Sequence, residues 1–427
     1  MDRIKHHRVW FAILSLIIIL LSICLRISHY KSIDYIGTDE IVYREQAKII
    51  AKNTNGGVSS LVNKYNSEQD LWKFPPPSRI GYLHTVSFLM NLLDRYDEHP
   101  ARMLSIAADI LTMIFLVIIG MQFFNRCAVL YALLFFAVSP MGLTVSVHGY
   151  QDALLGLLGV SMLYISLIIS FRRKSLLLYL LLSLIGMYSI TIKEFGILIY
   201  SYSILIALIN LIFKEKDYKN ASILAIIYFS SIIATVFLLA GMLGGLTNLV
   251  GIIYNVKTTL SKNYYAAVWQ SGPWYLFIRG FWILSPLSYA MFAFSVLNIS
   301  LINRKKKKGS INLGPIYSIL LFILLCIISA ILPYSQNYRY LSSIYIFYYL
   351  IAGMGFYFII DYIRGMIRQK PIRVFLLSAF VLTVIFCSSI DFNRFNYIRI
   401  SYKAYDLPVA IINDLRYRMD YIDEQIR

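Results

Sequence analysis

Charge is scarce in this chain: 15% of its 427 residues are Asp, Glu, Lys or Arg, against about 25% in ordinary soluble proteins. With 59% of residues hydrophobic, it lacks the polar surface to cover itself in water, which excludes a soluble globular domain. Acidic residues are the scarcer sign, 22 against 40 Lys and Arg, for a formal net charge of +18. The surplus cations sit in short loops between apolar runs, the pattern of membrane topology and not of a nucleic-acid face, so no nucleic-acid partner is expected. The four cysteines, Cys24, Cys127, Cys326 and Cys387, all lie inside apolar runs, which argues against a disulfide framework and a cysteine-bound zinc. A glycine-rich nucleotide fingerprint and a Walker pattern are both missing, which argues against a nucleotide-driven enzyme.

What is present is a series of apolar runs, near 9–26, 103–124, 127–146, 153–170, 176–192, 195–213, 221–240, 275–302, 315–333, 341–361 and 373–390. The segment 80–93 is apolar too, but its 14 residues fall below the roughly 18 needed to cross a bilayer, and it reads as an interfacial or re-entrant helix. With the basic N-terminus (Arg3, Lys5, Arg8) in the cytoplasm and 80–93 left out of the count, the loops at Asn125–Arg126, Arg172–Lys174, Lys214–Lys219, Arg304–Lys308 and Arg364–Arg373 all fall inside. Counting 80–93 as a crossing would put Lys305–Lys308 outside, against the positive-inside rule. The expected fold is therefore an all-α polytopic membrane bundle of about 11 spans, with a cytoplasmic N-terminus and an external C-terminus. The first run lacks a small-residue cleavage site and reads as a retained anchor. Residues 1–390 would form the membrane domain, residues 27–100 its long first external loop with juxtamembrane helices, and 391–427 a short external tail.

Polar residues gather at the external helix ends. Thr38 can cap a helix whose first turn holds Asp39 and Glu40, with Tyr43 one turn on from Asp39. Such a start reads either as ordinary helix-end chemistry or as a general base pressed against the membrane. Lys73 and Arg79 flank three prolines, Pro75–Pro77, which stiffen the approach to 80–93 and suit either a connector or a grip on a lipid phosphate. His148 and Asp152 stand at the mouth between the third and fourth spans, where they read as helix-end groups or, at four-residue spacing, as metal ligands. Lys193 and Glu194 occupy a turn too short to be a solvated loop; they could pair with each other, or the lysine could hold a phosphate at headgroup depth. Arg279, behind Gly272-Pro273-Trp274, and Arg339-Tyr340 lie at further external ends, where interfacial aromatics are ordinary anchors. Asp109, inside the second span, has no partner legible in the sequence.

In this order the residues resemble a known family. Asp39-Glu40-x-x-Tyr43, a proline-rich segment before a short helix, Arg102-Met103-Leu104-Ser105, Ser139-Pro140, Asp152, Thr191-Ile192-Lys193 and Arg339-Tyr340 look like the GT-C membrane glycosyltransferases. The types resembled are the protein O-mannosyltransferases and the lipid A aminoarabinose transferases, over roughly residues 9–361. The resemblance implies an inverting transfer of a sugar from a polyprenyl-phosphate donor to an envelope glycan, lipid or protein on the external face. It implies Asp39 as the base, Glu40 and Tyr43 as its positioning groups and Asp152 as a second acid. Lys193 and Arg339 would grip the donor phosphate, with Tyr340, Arg279, His148, Lys73 and Arg79 as further binding candidates. Phe74 separates Lys73 from Pro75, where the family often has lysine next to its prolines, so Arg79 can stand in for Lys73. No cofactor is required by this reading, and a divalent metal stays open. The small size and Lys/Ile-rich composition look bacterial, favouring the cell membrane and an envelope acceptor. A polysaccharide polymerase or ligase, and a transporter or flippase, are the alternatives. Because charge sets the topology, a cysteine placed at Ser310 should react with an impermeant thiol reagent only in permeabilised cells; labelling of intact cells would overturn the eleven-span arrangement.

Overall fold

The computed structural model describes residues 2–31, 38–52, 56–260, 268, 270–304, 313–331, 336–402, 409 and 412–414, apart from the side chains of 2–8, 31, 73, 260, 300–304 and 397–402. Its regular elements are helices: α1 (Asp2–Lys31), α2 (Thr38–Lys52), α3 (Gly57–Ser67), α4 (Ile80–Leu93), α5 (His99–Phe123), α6 (Arg126–Val138), α7 (Pro140–Val147), α8 (Asp152–Phe171) and α9 (Leu176–Ile192). There follow α10 (Gly196–Ile209, running on through a π turn to Lys214), α11 (Tyr218–Met242), α12 (Leu246–Leu260), α13 (Trp274–Leu284), α14 (Pro286–Arg304), α15 (Leu313–Ile331), a 3-10 turn (Tyr338–Leu341), α16 (Tyr345–Met366) and α17 (Lys370–Tyr402). The multi-pass membrane architecture is as expected. Among the described residues, eight helices are long and apolar enough to cross a bilayer, or ten if two bent pairs each count as one span. The expected eleventh, α9, is an apolar helix of 17 residues. The helix of α17 runs on past position 390, through the start assigned to the external tail.

The first loop folds as helices laid against the bundle. Tyr43, Ala47 and Ala51 recur every four residues on α2 and are buried with Tyr82, Leu83, Val86 and Met90 of α4 in the main core. The proline segment is held to α2 where the Gln46 amide donates to the Pro75 carbonyl at 3.1 Å. Helix α12 was not anticipated. It turns back from α11 through Gly244 and Gly245, whose φ values of +82° and +130° suit glycine. Its Leu249 and Ile252 join Val62 and Tyr65 of α3 in a satellite core.

Two runs expected to be single spans are broken at proline. Between α6 and α7 the axis bends by 55° at Ser139-Pro140, where the Ser139 hydroxyl accepts from the Gly142 N–H at 2.9 Å. Between α13 and α14 the bend is 113° at Ser285-Pro286. Proline lacks the N–H that would continue the ladder, so the last carbonyls of each first segment need other donors. Arg394 of α17 supplies one, donating to the Ile283 carbonyl at 2.7 Å, while the Ser285 hydroxyl donates to Asp391. At the other break the donor is Arg26 of α1, which reaches the Ala137 carbonyl at 3.2 Å.

Arg26 also supplies the partner for Asp109. Its Nε lies 2.6 Å from the Asp109 carboxylate, its Nη1 bonds the Ser22 hydroxyl, and both charged side chains are buried. A charge removed from water in this way persists only when paired, so the bond locks α1 to α5. Asp109→Ala should cost about 3–5 kcal/mol by stranding the guanidinium, read as a lower melting temperature in detergent. The joint replacement Arg26→Met with Asp109→Leu should recover most of the loss, and a silent single variant would show that the pair contributes nothing.

Candidate active site

The site is built at one end of the bundle, where α2 meets the α7–α8 turn, the α9–α10 turn and the 3-10 turn before α16. Glu40 fixes α2 there. Its Oε1 accepts from the Gly149 N–H at 2.5 Å and from Arg102 Nε at 3.1 Å, and its Oε2 lies 3.2 Å from His148 Nδ1. The Tyr82 hydroxyl donates to the Gly149 carbonyl at 2.7 Å, tying α4 into the same knot. Burial alone would push the Glu40 carboxyl up, but His148, Arg102 and the Gly149 N–H outweigh it and hold the pKa at about 2. With each oxygen engaged, Glu40 is suited to positioning. A Cβ at Gly149 would stand 2.9 Å from Ala101 Cβ, so this turn needs glycine for its close approach to α5.

Asp39, one position earlier, points the other way. Its Oδ2 accepts from Arg339 Nη2 at 2.9 Å, across 300 residues of sequence, and its side chain keeps 32% exposure. Arg339 Nε stands 3.8 Å from Asp152 Oδ2, and Asp152 Oδ1 accepts from Lys193 Nζ at 2.6 Å. Asp39, Arg339, Asp152 and Lys193 thus form an alternating chain of charges. Asp152 is fully buried in the first turn of α8, where the helix N-terminus favours a carboxylate. Aromatic faces close the sides: Lys193 Nζ sits 3.9 Å from the Tyr340 ring centroid, and the Arg339 guanidinium lies 4.8 Å from that of Tyr150. Burial pushes the Lys193 ammonium below its usual range, with the Asp152 carboxylate opposing.

A third cation completes the cluster. Arg79, at the start of α4, donates Nε and Nη2 to the Glu194 carboxylate at 3.0–3.3 Å and Nη1 to the Tyr43 hydroxyl. Lys193 and Glu194 therefore do not pair with each other: adjacent residues in an extended turn point to different partners, one to Asp152 and one to Arg79. His148 and Asp152 do not form a ligand pair either, because the α7–α8 turn unwinds between them and sends His148 to Glu40 and Asp152 to Lys193. Among the described residues no three of His, Cys, Asp and Glu are grouped as metal ligands.

The structure brings together Asp39, Glu40, Tyr43, Arg79, His148, Asp152, Lys193, Arg339 and Tyr340. Arg279 lies on α13 and makes none of these contacts; α13 meets the cluster through Phe277, stacked on Tyr338 at 4.6 Å. The Lys73 side chain lies outside the described residues. Tyr82 and Gly149 belong to the site without having been singled out, and Arg102 and Glu194, which the sequence motifs include, belong to it without having been given a role there. A signal existed for Arg102, a cation in the first turn of α5, where the helix dipole gives a positive charge no reason to sit unless a carboxylate meets it.

The architecture is shared with solved membrane transferases of the GT-C fold, which is the fold the resemblance read from the sequence implies. Residues 80–235 match the family described as dolichyl-phosphate-mannose-protein mannosyltransferase, a stretch that contains Asp152 and Lys193. No curated protein matches the sequence. Among solved structures, the oligosaccharyltransferase AglB from Archaeoglobus fulgidus, in complex with an inhibitory peptide and a dolichol-phosphate, is similar with a TM-score of 0.62 at 13% identity over 91% of this chain. ArnT from Cupriavidus metallidurans, bound to undecaprenyl phosphate, is similar with a TM-score of 0.57 at 13% identity over 90% of this chain. The chain spans 56% of the length of the first and 64% of the second.

The depressed Glu40 pKa has a thermodynamic consequence. A carboxyl lowered from 4.5 to about 2 stabilises the fold fully above pH 4.5, and the contribution disappears as pH falls through the interval to about 2. At 1.36 kcal/mol per pKa unit this amounts to roughly 3 kcal/mol. Melting temperature in detergent should therefore fall on acidification through this interval, and Glu40→Gln should lower the neutral-pH value and flatten that acid limb. An unchanged acid limb in the variant would show that Glu40 is not the group responsible.

Proposed function

We propose that the chain is an inverting glycosyltransferase that moves a sugar from a polyprenyl-phosphate donor to an envelope glycan, lipid or protein. The observation that carries this reading is the chain Asp39–Arg339–Asp152–Lys193, which sets a partly exposed carboxylate beside buried cations at one end of a membrane bundle. The match to a family named for a dolichyl-phosphate-mannose donor, and the carrier lipids named in the two solved structures, support a lipid-linked phosphate as the leaving group.

In this mechanism the acceptor hydroxyl oxygen attacks the anomeric carbon from the face opposite the phosphate. Asp39 takes the hydroxyl proton as the new carbon–oxygen bond forms. The bond from the anomeric carbon to the phosphate oxygen breaks, and its electron pair leaves with the polyprenyl phosphate. Lys193 and Arg339 stabilise the negative charge that develops there. One displacement with one base inverts the anomeric centre. Tyr340 and Tyr150 keep the two cations oriented through their ring faces. The lipid chain has room in an apolar cavity of about 680 Å³ between α4, α9 and α11, whose walls include Phe88, Leu184, Tyr188 and Leu238. Gly81 and Thr191, also in that wall, each lie two positions from a site cation, Arg79 and Lys193.

The positive-inside rule supports an external position for this end of the bundle, since Arg172–Lys174, Lys214–Lys219 and Arg364–Arg373 lie at the other helix ends. The setting is then the external face of a bacterial cell membrane. Asp39→Asn keeps the size of the side chain and its bond to Arg339 while removing the base. It should lower transfer from polyprenyl-phosphate sugar by at least about a hundredfold with expression and melting temperature retained, measured by mass analysis of envelope glycans and lipid-linked sugars. Near-normal transfer by this variant would reject the base assignment.

A further inference from the structure

Within the site each of these cations is matched by a carboxylate: Arg339 by Asp39, Lys193 by Asp152 and Arg79 by Glu194. A lipid-linked sugar phosphate brings one more negative charge into this neutral set. Adding it to three intact pairs would leave a surplus anion in a poorly solvated place, so the favoured bound state is one in which a carboxylate yields its cation. The three carboxylates differ in what yielding costs. Asp152 has 0% side-chain exposure and would be stranded. Asp39 is the proposed base, held by an arginine that also faces Asp152. Glu194 has 53% side-chain exposure and sits on the short turn between α9 and α10, so released it would simply be hydrated.

Arg79 is built to change partners. Its side chain is 15% exposed, and it presents Nε and Nη2 to two carboxylate oxygens at 3.0–3.3 Å, a fork that fits two phosphate oxygens equally well. The buried Tyr43 hydroxyl accepts from Nη1 and holds the guanidinium in the same plane once Glu194 has left. We propose that Glu194 is a built-in stand-in for the phosphate, engaging Arg79 until the phosphate of a polyprenyl carrier takes its place. Glu194 then tunes affinity for donor and spent carrier, an inference that rests on the lipid-phosphate reading above.

The test is binding of undecaprenyl phosphate to the detergent-solubilised full chain, wild type against Glu194→Gln, Glu194→Ala and Arg79→Gln. Both Glu194 variants should bind about fivefold more tightly, the factor that corresponds to the roughly 1 kcal/mol of an exposed ion pair no longer broken. Arg79→Gln should bind about tenfold or more weakly. If Glu194 instead serves to hold Arg79 in place, both Glu194 variants will bind more weakly or unchanged, and the stand-in is overturned. If the wild type itself does not bind undecaprenyl phosphate, the failure lies with the lipid-phosphate reading.

Discussion

Glu40 is held by three donors from two other parts of the chain, Arg102 at the head of α5 and His148 and Gly149 in the α7–α8 turn. Without that knot α2 would be a short amphipathic helix free to lift from the bundle. With it, Asp39 and Tyr43 on the same helix are delivered to Arg339 and Arg79, which come from the end and the beginning of the membrane domain. The clamp works because it is dry: a carboxylate removed from water must have its oxygens engaged, and each donor lost leaves a penalty larger than the bond itself was worth. Position in the site follows from solvation.

The same rule explains why, among the described residues, the cations of the site are matched by carboxylates, and why its parts come from such distant segments. Each of the three cations Arg79, Lys193 and Arg339 needs a carboxylate, and each carboxylate needs a cation, so the first loop, the α9–α10 turn and the 3-10 turn before α16 are pinned together by the charges that the proposed chemistry uses. Stability and the proposed function therefore draw on the same groups. Exposure is what separates their roles. The fully buried Asp152 orders the cations, the partly exposed Asp39 can meet a hydroxyl, and the half-exposed Glu194 can be replaced.

At the two proline breaks, polar side chains serve the backbone. Arg26 and Arg394 each donate to a carbonyl that a proline break leaves without its helical partner, and each is also near an acidic residue, Asp109 or Asp391. Two helices can thus bend sharply inside an apolar bundle without abandoning hydrogen bonds. The second bend brings α13 across the end of the bundle, where Phe277 and Phe281 flank Tyr338 and so buttress the neighbouring Arg339.

Much of this was legible in the sequence because it is set locally. Hydropathy and length give the helices; α4 at 80–93 and α9 at 176–192 have the bounds expected, and Thr38 begins α2. Proline marked both breaks, yet hydropathy ran straight across them, since an apolar stretch reads the same whether straight or bent. Helix α12 was hidden because it is neither long enough to span nor polar enough to be a loop. The residue types of the site were visible too, since charges at the ends of apolar runs are few. Their pairing was not: Lys193 and Glu194 are neighbours in sequence but face different partners, His148 and Asp152 part company at a turn, and Asp39 finds Arg339 across most of the chain. Composition and periodicity determined a membrane bundle with its charges gathered at helix ends. Only the tertiary structure decided which charge meets which, because in a low-dielectric setting that choice depends on distances and solvation that no local pattern encodes.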